Sequence, residues 1–201
     1  MKLDFSKKDF YTKKAKQENY PARSVYKLEE IDKKFNLIKK GDRVLDLGCA
    51  PGSWLLYITR KATMITGIDV RGLEIEIPKN AEFIKADVME FIPNEVEEGK
   101  YDIVVSDLAP NTSGIHSIDV EKSLEFGERA LEIAEKVLVD GGNFLCKIFE
   151  GDGSKKFFQE VKDNFEIAKI YKPKASRKES REIYIIGKNY ERANRIQKKL
   201  Y

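Results

Sequence analysis

The chain has 201 residues, of which 41% are hydrophobic and 35% are charged, so it can form one well-packed domain and is too short for two large ones. It contains no run of about 18 apolar residues and no apolar segment behind the N-terminus, and we therefore predict neither a membrane span nor a secretory signal. The single histidine argues against a histidine-based metal cluster and a Ser-His-Asp triad. We expect a soluble cytoplasmic protein without a bound metal.

The net charge of +3 is unevenly distributed along the chain. Residues 1–43 contain 13 Lys and Arg against 7 Asp and Glu, and residues 169–201 contain 11 against 3, whereas the segment between them contains 13 against 24. Basic ends with interleaved aromatic residues favour a polyanionic partner such as RNA. Solvated surface charge is the alternative explanation for each end taken alone.

The N-terminal part of the chain is predicted to be an arm followed by a helix. Residues 1–22 have little apolar periodicity, and we expect a mobile or partly helical basic arm that stays outside the core. A helix is predicted from Ser24, which can cap it, to Phe35, because apolar residues recur there at spacings of three and four. Lys27 lies off this apolar stripe.

Apolar strands alternate with helices along the rest of the chain. The predicted strands are Val44–Leu47, Met64–Val70, Ala81–Ala86, Tyr101–Ser106, Asn143–Phe149, Phe165–Tyr171 and Glu182–Gly187. The predicted helices are Trp54–Arg60, residues 119–139 with a stop at Asp140-Gly141-Gly142, and a helix capped by Ser154. A basic loop, Lys172–Arg181, joins the last two strands.

This alternation predicts an α/β fold with a mostly parallel sheet, an antiparallel hairpin at one edge and helices on both faces. We divide the chain into a basic arm at 1–22, one domain at 23–190 and a basic tail at 191–201. Cys49 and Cys146 lie in or beside apolar strands and outside any C-x-x-C pair. We expect both to be buried free thiols in a reducing compartment.

A glycine turn after the first strand indicates a ligand site. Gly48 and Gly52 allow a sharp turn and a close approach of the backbone to a ligand, and a generic tight turn is the alternative. Four acidic residues fall at strand ends, where a doubly wound sheet opens its crevice, and they are Asp46, Asp69, Asp87 and Asp107.

These carboxylates also bear on the kind of ligand. Asp69 follows Gly48 by 21 residues, close to the spacing at which an acidic residue meets ribose hydroxyls in dinucleotide sites. The turn lacks the G-x-G-x-x-G pattern, however, and a pocket rich in carboxylates disfavours a pyrophosphate. We therefore prefer S-adenosylmethionine, which carries a sulfonium and an ammonium, to a nicotinamide cofactor.

Five segments in order along the chain resemble the motifs of the FtsJ/RrmJ-type ribosomal RNA ribose 2′-O-methyltransferases. They are Arg23-Ser24-Val25-Tyr26-Lys27-Leu28, Leu45–Trp54, Ser106–Gly114, Lys147-Ile148-Phe149-Glu150-Gly151 and Ser176–Tyr184. The resemblance implies a Rossmann-like methyltransferase fold with a catalytic tetrad of Lys27, Asp107, Lys147 and Glu182. It also implies an S-adenosyl-L-methionine site formed by Gly52, Trp54, Asp69, Asp87 and Asp107.

Two residues depart from the family pattern, because Cys49 and Ser53 stand where many relatives have Ala and Gly. Ser53 adds a side chain that we expect near the cofactor. Of the tetrad, Lys147 is the candidate proton acceptor for the ribose hydroxyl. Burial and the charge of Lys27 favour its neutral form, whereas Asp107 and Glu182 favour the ammonium, and the sequence leaves the balance open.

The resemblance implies methylation of a ribose 2′-hydroxyl, on a uridine of 23S ribosomal RNA, with the large ribosomal subunit as partner. Methylation of transfer RNA, a non-catalytic role in RNA binding or ribosome assembly, and a nicotinamide-dependent dehydrogenase are the alternatives. We expect a monomer and a target ribose in a loop or a locally opened region. The predicted RNA contacts are Lys13, Lys14, Lys16, Arg23, Lys172, Lys174, Arg177, Lys178 and Arg181.

Overall fold

In the computed structural model, which describes residues 6–92, 99–177 and 179–192, seven strands form one sheet in the order β3-β2-β1-β4-β5-β7-β6. The strands are β1 (Arg43–Leu47), β2 (Met64–Asp69), β3 (Ala81–Lys85), β4 (Tyr101–Ser106), β5 (Leu138–Phe149), β6 (Phe165–Tyr171) and β7 (Glu182–Tyr190). The helices are α1 (Ser6–Gln17), α2 (Val25–Phe35), α3 (Ser53–Ile58), α4 (His116–Val137) and α5 (Ser154–Asn164).

The first five strands are parallel, and β7 runs antiparallel between β5 and β6. The predicted antiparallel pair is therefore confirmed, with β6 as the edge strand. The sheet order reverses between β1 and β4, where Leu47 pairs with Ser106, and such a switch point opens a crevice at the carboxyl ends of the strands. Because β7 is reversed, its first residue, Glu182, pairs with Phe149 at the carboxyl end of β5.

Helices cover both faces of the sheet, as predicted. Alternate residues of β1 point to opposite faces, so Val44 packs with α2 and α3, whereas Leu45 and Leu47 pack with α4 and α5. The hydrophobic pattern of each strand is thus divided between two cores. Both predicted thiols, Cys49 and Cys146, are buried and free.

Several local predictions are wrong. Ala15 and Tyr20 are buried in the core beside α2, so the N-terminal segment contributes to the core. Ser24 stands at the N-cap of α2 as predicted, but its side chain makes no capping hydrogen bond, and the N-cap of α5 is Gly153 in place of Ser154. Helix α4 ends at Val137, before the expected glycine stop, because β5 begins at the next residue.

The proposed division at 1–22, 23–190 and 191–201 stays a prediction, and most of the tail, residues 193–201, lies outside the described residues. Within the described ranges, no helix has both the length and the apolar character needed to cross a bilayer.

Helix α2, which carries Lys27, is fixed to α3 by a buried carboxylate. Asp32, with 1% of its surface exposed, accepts hydrogen bonds from the Ile38 amide at 2.9 Å, the Tyr57 hydroxyl at 2.7 Å and the Lys61 ammonium at 2.5 Å. All three donors lie beyond the end of α2 in the chain. Asp32 therefore fixes the position of α2 relative to the segment that follows the glycine turn.

Replacing Asp32 with Ala is expected to lower the free energy of unfolding by about 3 kcal/mol, because the Tyr57 hydroxyl and the Ile38 amide lose a buried acceptor. Urea denaturation followed by circular dichroism measures this change. Glu29→Ala is the matched control on the same helix, since the contact of the Glu29 side chain is an ion pair with the exposed Lys33. Equal stability of the two variants would contradict the assignment.

Candidate active site

The turn between β1 and α3 depends on two glycines with positive φ. Gly48 has φ of 80°, and a Cβ there would lie 2.9 Å from Leu108 Cδ2. Gly52 has φ of 113°, and a Cβ there would lie 2.7 Å from Ile75 Cδ1. Any side chain at either position would therefore be strained and crowded. The turn follows the carboxyl end of β1, at the switch point of the sheet, as the sequence predicted.

Asp69, at the end of β2, is tied to this turn. Its Oδ2 accepts the Ala50 amide at 3.0 Å, and its Oδ1 accepts the Arg71 amide at 2.8 Å. Asp87 follows β3, where it is exposed and its Oδ1 accepts the Met89 amide at 2.9 Å. The two carboxylates thus lie at the end of β2 and just past the end of the neighbouring parallel strand β3, and their contact with a cofactor stays a prediction.

The two residues that follow Gly52 are both buried. The Trp54 indole donates a hydrogen bond to the Ser24 carbonyl at 3.1 Å and packs against the Tyr184 ring, with 6.1 Å between the ring centroids. Ser53 Oγ accepts the Ala22 amide at 2.7 Å. The Ser53 side chain therefore connects the segment before α2 to the turn, a structural role that its sequence position did not predict.

Asp46, the last residue but one of β1, is completely buried, and neither of its carboxylate oxygens has a hydrogen-bond partner within the described part of the chain. Burial, and then the charges of Asp107 and Asp69, raise its pKa well above the ordinary carboxyl value. Sequence reasoning listed Asp46 among the strand-end acids without giving it a role. The signal available was an acidic residue within an otherwise apolar strand.

The four predicted tetrad residues lie together as two ion pairs. Lys147 Nζ lies 3.0 Å from Asp107 Oδ1 and donates a hydrogen bond to the Asp107 carbonyl at 2.7 Å. Lys27 Nζ lies 2.5 Å from Glu182 Oε2. Burial opposes ionisation of Glu182, but Lys27 and then Lys147 outweigh it and lower the pKa of that carboxyl. The charge of Lys147 thus acts on Glu182, and the two pairs form one cluster.

Tyr184 belongs to the same cluster, although the sequence did not single it out as a site residue. Its hydroxyl donates to Asp107 Oδ1 at 3.2 Å. Burial, followed by the nearby carboxylates Asp107 and Glu182, raises its pKa well above the ordinary tyrosine value. The strand register places it there, because Tyr184 pairs with Lys147 across β5 and β7.

A cleft of about 840 Å³ opens on the side of the cluster that holds Lys27 and Glu182. Its lining includes the segment before α2, the start of α4 and the loop between β6 and β7. The charged and polar residues that line it are Arg23, Ser24, Lys27, Thr112, His116, Asp119, Arg177, Glu179, Ser180, Arg181 and Glu182.

Some of the predicted RNA contacts line the cleft, and the others that the structure describes lie outside it. Arg23, Arg177 and Arg181 line the cleft. The lysines Lys13, Lys14 and Lys16 lie on α1, whereas Lys172 and Lys174 are exposed on the loop and outside the cleft lining. Lys178 lies outside the described residues. Among the described residues, no group of three His, Cys, Asp or Glu side chains could hold a metal ion.

Comparison with known proteins identifies the family. The profile described as "FtsJ-like methyltransferase" matches residues 20–190. The chain belongs to the FtsJ-like methyltransferase family. The match begins close to the predicted domain start and includes all four tetrad residues, and it confirms the resemblance found in the sequence motifs.

Relatives within the FtsJ-like family match nearly the whole chain. A protein of Desulforapulum autotrophicum named "Ribosomal RNA large subunit methyltransferase E" is 50% identical over 184 residues, which are 89% of this chain and 91% of the relative. A protein of the same name from Methanothrix thermoacetophila is 44% identical over 90% of this chain and 72% of its own length.

A solved structure also matches the fold. The crystal structure of a putative ribosomal RNA methyltransferase from Plasmodium falciparum superposes with a TM-score of 0.75 at 28% identity, covering 85% of this chain and 98% of that one. The predicted Rossmann-like methyltransferase fold is therefore confirmed.

The family implies a cofactor of the S-adenosylmethionine type, and the residues around the FtsJ-like turn fit it. The buried Asp46 has no hydrogen-bond partner among the described residues, and it faces the charges of Asp69 and Asp107. A cationic group near these carboxylates would offset their mutual repulsion. Gly52 leaves the backbone accessible where a Cβ would crowd the turn.

The raised pKa of Asp46 makes stability depend on pH. Its carboxyl binds a proton more tightly in the folded chain than in the unfolded chain, so the free energy of unfolding falls as the pH rises from about 4 towards the folded-state pKa. Asp46→Asn removes this titration. Urea unfolding of the cofactor-free proteins between about pH 5 and about pH 8 should show the native chain losing stability relative to the variant. Parallel pH profiles would contradict this prediction.

Proposed function

We propose that this protein transfers the methyl group of S-adenosyl-L-methionine to a ribose 2′-hydroxyl, on a uridine of 23S ribosomal RNA in the large ribosomal subunit. The observation that carries the proposal is the position of the Lys147–Asp107 and Lys27–Glu182 pairs, between the acidic glycine turn and the arginine-lined cleft. This arrangement separates a site suited to a cationic donor from one suited to a polyanionic acceptor.

S-adenosylmethionine, when bound, supplies an electrophilic methyl group, and the task of this chain is to position and deprotonate the attacking oxygen. Gly52, Trp54, Asp69, Asp87 and Asp107 are the proposed cofactor contacts. Gly52 and Asp69 support this role by forming and tying the turn. Trp54 is buried, and it lies at the start of α3, two residues after Gly52.

Lys147 is the proposed proton acceptor. A lysine accepts a proton only as the neutral amine, so Lys147 must be in that form when it takes the proton of the 2′-hydroxyl. The Asp107 carbonyl, at 2.7 Å, accepts a hydrogen bond from the neutral amine as well as from the ammonium. The side chain can therefore keep its position through both protonation states.

Lys27 and Glu182 are proposed to orient the substrate. Glu182 binds the Lys27 ammonium at the mouth of the cleft, so this lysine can direct its remaining N–H groups towards the ribose or its phosphate. Arg23, Arg177 and Arg181 supply positive charge along the same cleft. An anionic backbone bound across these residues would place a ribose beside the tetrad.

The names of the relatives support large-subunit ribosomal RNA over transfer RNA as the substrate. The assembled tetrad favours an enzyme over a non-catalytic assembly protein, and the carboxylate-rich turn favours S-adenosylmethionine over a nicotinamide. A cytoplasmic location and a monomeric state accompany the proposal as predictions.

The substrate assignment is tested with labelled S-adenosylmethionine. We expect methyl transfer to large ribosomal subunits that lack the modification and little transfer to bulk transfer RNA. Mapping of the product should place the label on the 2′-oxygen of one uridine. Preferential labelling of transfer RNA would overturn the substrate assignment, and the absence of any transfer would favour the assembly role.

Lys147→Ala should reduce the rate of methyl transfer on the order of a thousandfold, because it removes the proton acceptor. Binding of S-adenosylmethionine, measured by calorimetry, should be nearly unchanged. The control is Lys156→Ala, at a lysine whose side chain is 81% exposed on α5. Turnover by Lys147→Ala close to that of the control would exclude the proposed role.

A further inference from the structure

The loop between β6 and β7, residues 172–181, forms one wall of the cleft. It carries Arg177 and Arg181, which line the cleft, and it leads directly into Glu182. Its internal backbone hydrogen bonds include only two short turns among the described residues, from Ser176 to Pro173 and from Ser180 to Arg177. The position of the loop must therefore come from contacts with other elements.

Glu30 of α2 provides such contacts at the first half of the loop. Its Oε1 accepts the Tyr171 hydroxyl at 2.7 Å and the Lys174 amide at 2.9 Å, and its Oε2 accepts the Ala175 amide at 3.1 Å. One carboxylate thus binds the end of β6 and two successive backbone amides of the loop. Burial opposes ionisation of Glu30, but these donors outweigh it and lower the pKa of the carboxyl.

Two further contacts come from the same part of the chain, and one comes from the segment after β5, where the Glu150 amide donates to the Arg181 carbonyl at 2.9 Å. Arg23, just before α2, donates to the Ala175 carbonyl at 2.8 Å. Lys27, three residues before Glu30, binds Glu182 at the far end of the loop. Residues three apart lie on the same face of a helix. Glu30 thus holds the first half of the loop from the same helix face that carries the tetrad residue Lys27, whereas the end of the loop is bonded to Glu150.

We infer that Glu30 is a positioning residue for the RNA substrate: it fixes the backbone at Lys174 and Ala175 so that Arg177, two residues further on, faces the cleft. The inference rests on the proposed function for its consequence, which is tighter RNA binding, whereas the contact itself exists independently of any activity. Glu30 acts through the loop, and the structure places it outside the cleft lining.

Glu30→Gln is the sharpest test, because glutamine keeps the shape of the side chain and has one acceptor oxygen. If that oxygen replaces Oε1, the amide nitrogen faces the Ala175 N–H, and two donors oppose each other. We expect the KM for large ribosomal subunits to rise about tenfold. We expect kcat, the melting temperature and S-adenosylmethionine affinity to stay close to those of the native chain. Glu30→Asp, which keeps the charge on a shorter side chain, should give a smaller rise in KM.

Glu29→Gln is the matched control, since the neighbouring Glu29 binds Lys33 on the exposed side of α2. Hydrogen exchange at the Lys174 and Ala175 amides reports the contact without any substrate, and it should become faster in Glu30→Gln and remain unchanged in Glu29→Gln. Unchanged exchange would overturn the contact. A fall in kcat at constant KM, or a KM equal to that of the control, would overturn the positioning role.

The exchange measurement also separates this inference from the proposed function. If the native chain failed to methylate large subunits, the proposed function would fail and the substrate role of Glu30 would fail with it. Faster exchange in Glu30→Gln would then still establish that Glu30 holds the loop.

Discussion

Strand β7 runs against both of its neighbours, and the assembly of the site depends on this reversal. A parallel β7 would present its last residues at the end of the sheet where β1, β4 and β5 finish. The antiparallel direction instead brings its first residues there, so Glu182 lies beside Phe149 and Tyr184 beside Lys147. The acid that binds Lys27 and the hydroxyl that binds Asp107 therefore come from the start of one strand.

The site also depends on a separation of charge. Asp46, Asp69 and Asp107 make one side of the switch point acidic, whereas Arg23, Arg177 and Arg181 make the cleft basic. The two lysines of the tetrad lie between these regions, each bound to a carboxylate. The three carboxylates come from the acidic middle of the chain, and the three arginines come from its two basic ends.

The order of strands and helices could be predicted from the sequence because both periodicities are strong and because five motifs fall in the family order. Local polar contacts could not be predicted, because they depend on residues far apart in the chain. Ser24 is of a residue type that commonly caps helices, but its side chain makes no capping hydrogen bond, and its carbonyl accepts the Trp54 indole from a distant part of the chain. Ala15 and Tyr20 belong to a basic segment without apolar periodicity, and only tertiary packing against α2 buries them. Glu30 likewise resembles any surface glutamate until the loop at 172–181 is seen to contact it.

Trp54 is the single tryptophan of the chain, and its indole lies where the glycine turn, the start of α2 and β7 meet. Its fluorescence therefore originates at one known point, without background from other indoles. The ring is in contact with Tyr184, whose hydroxyl binds Asp107. The protein thus contains a native optical reporter at the junction of the glycine turn and the tetrad, and events at this junction can be followed without an attached dye.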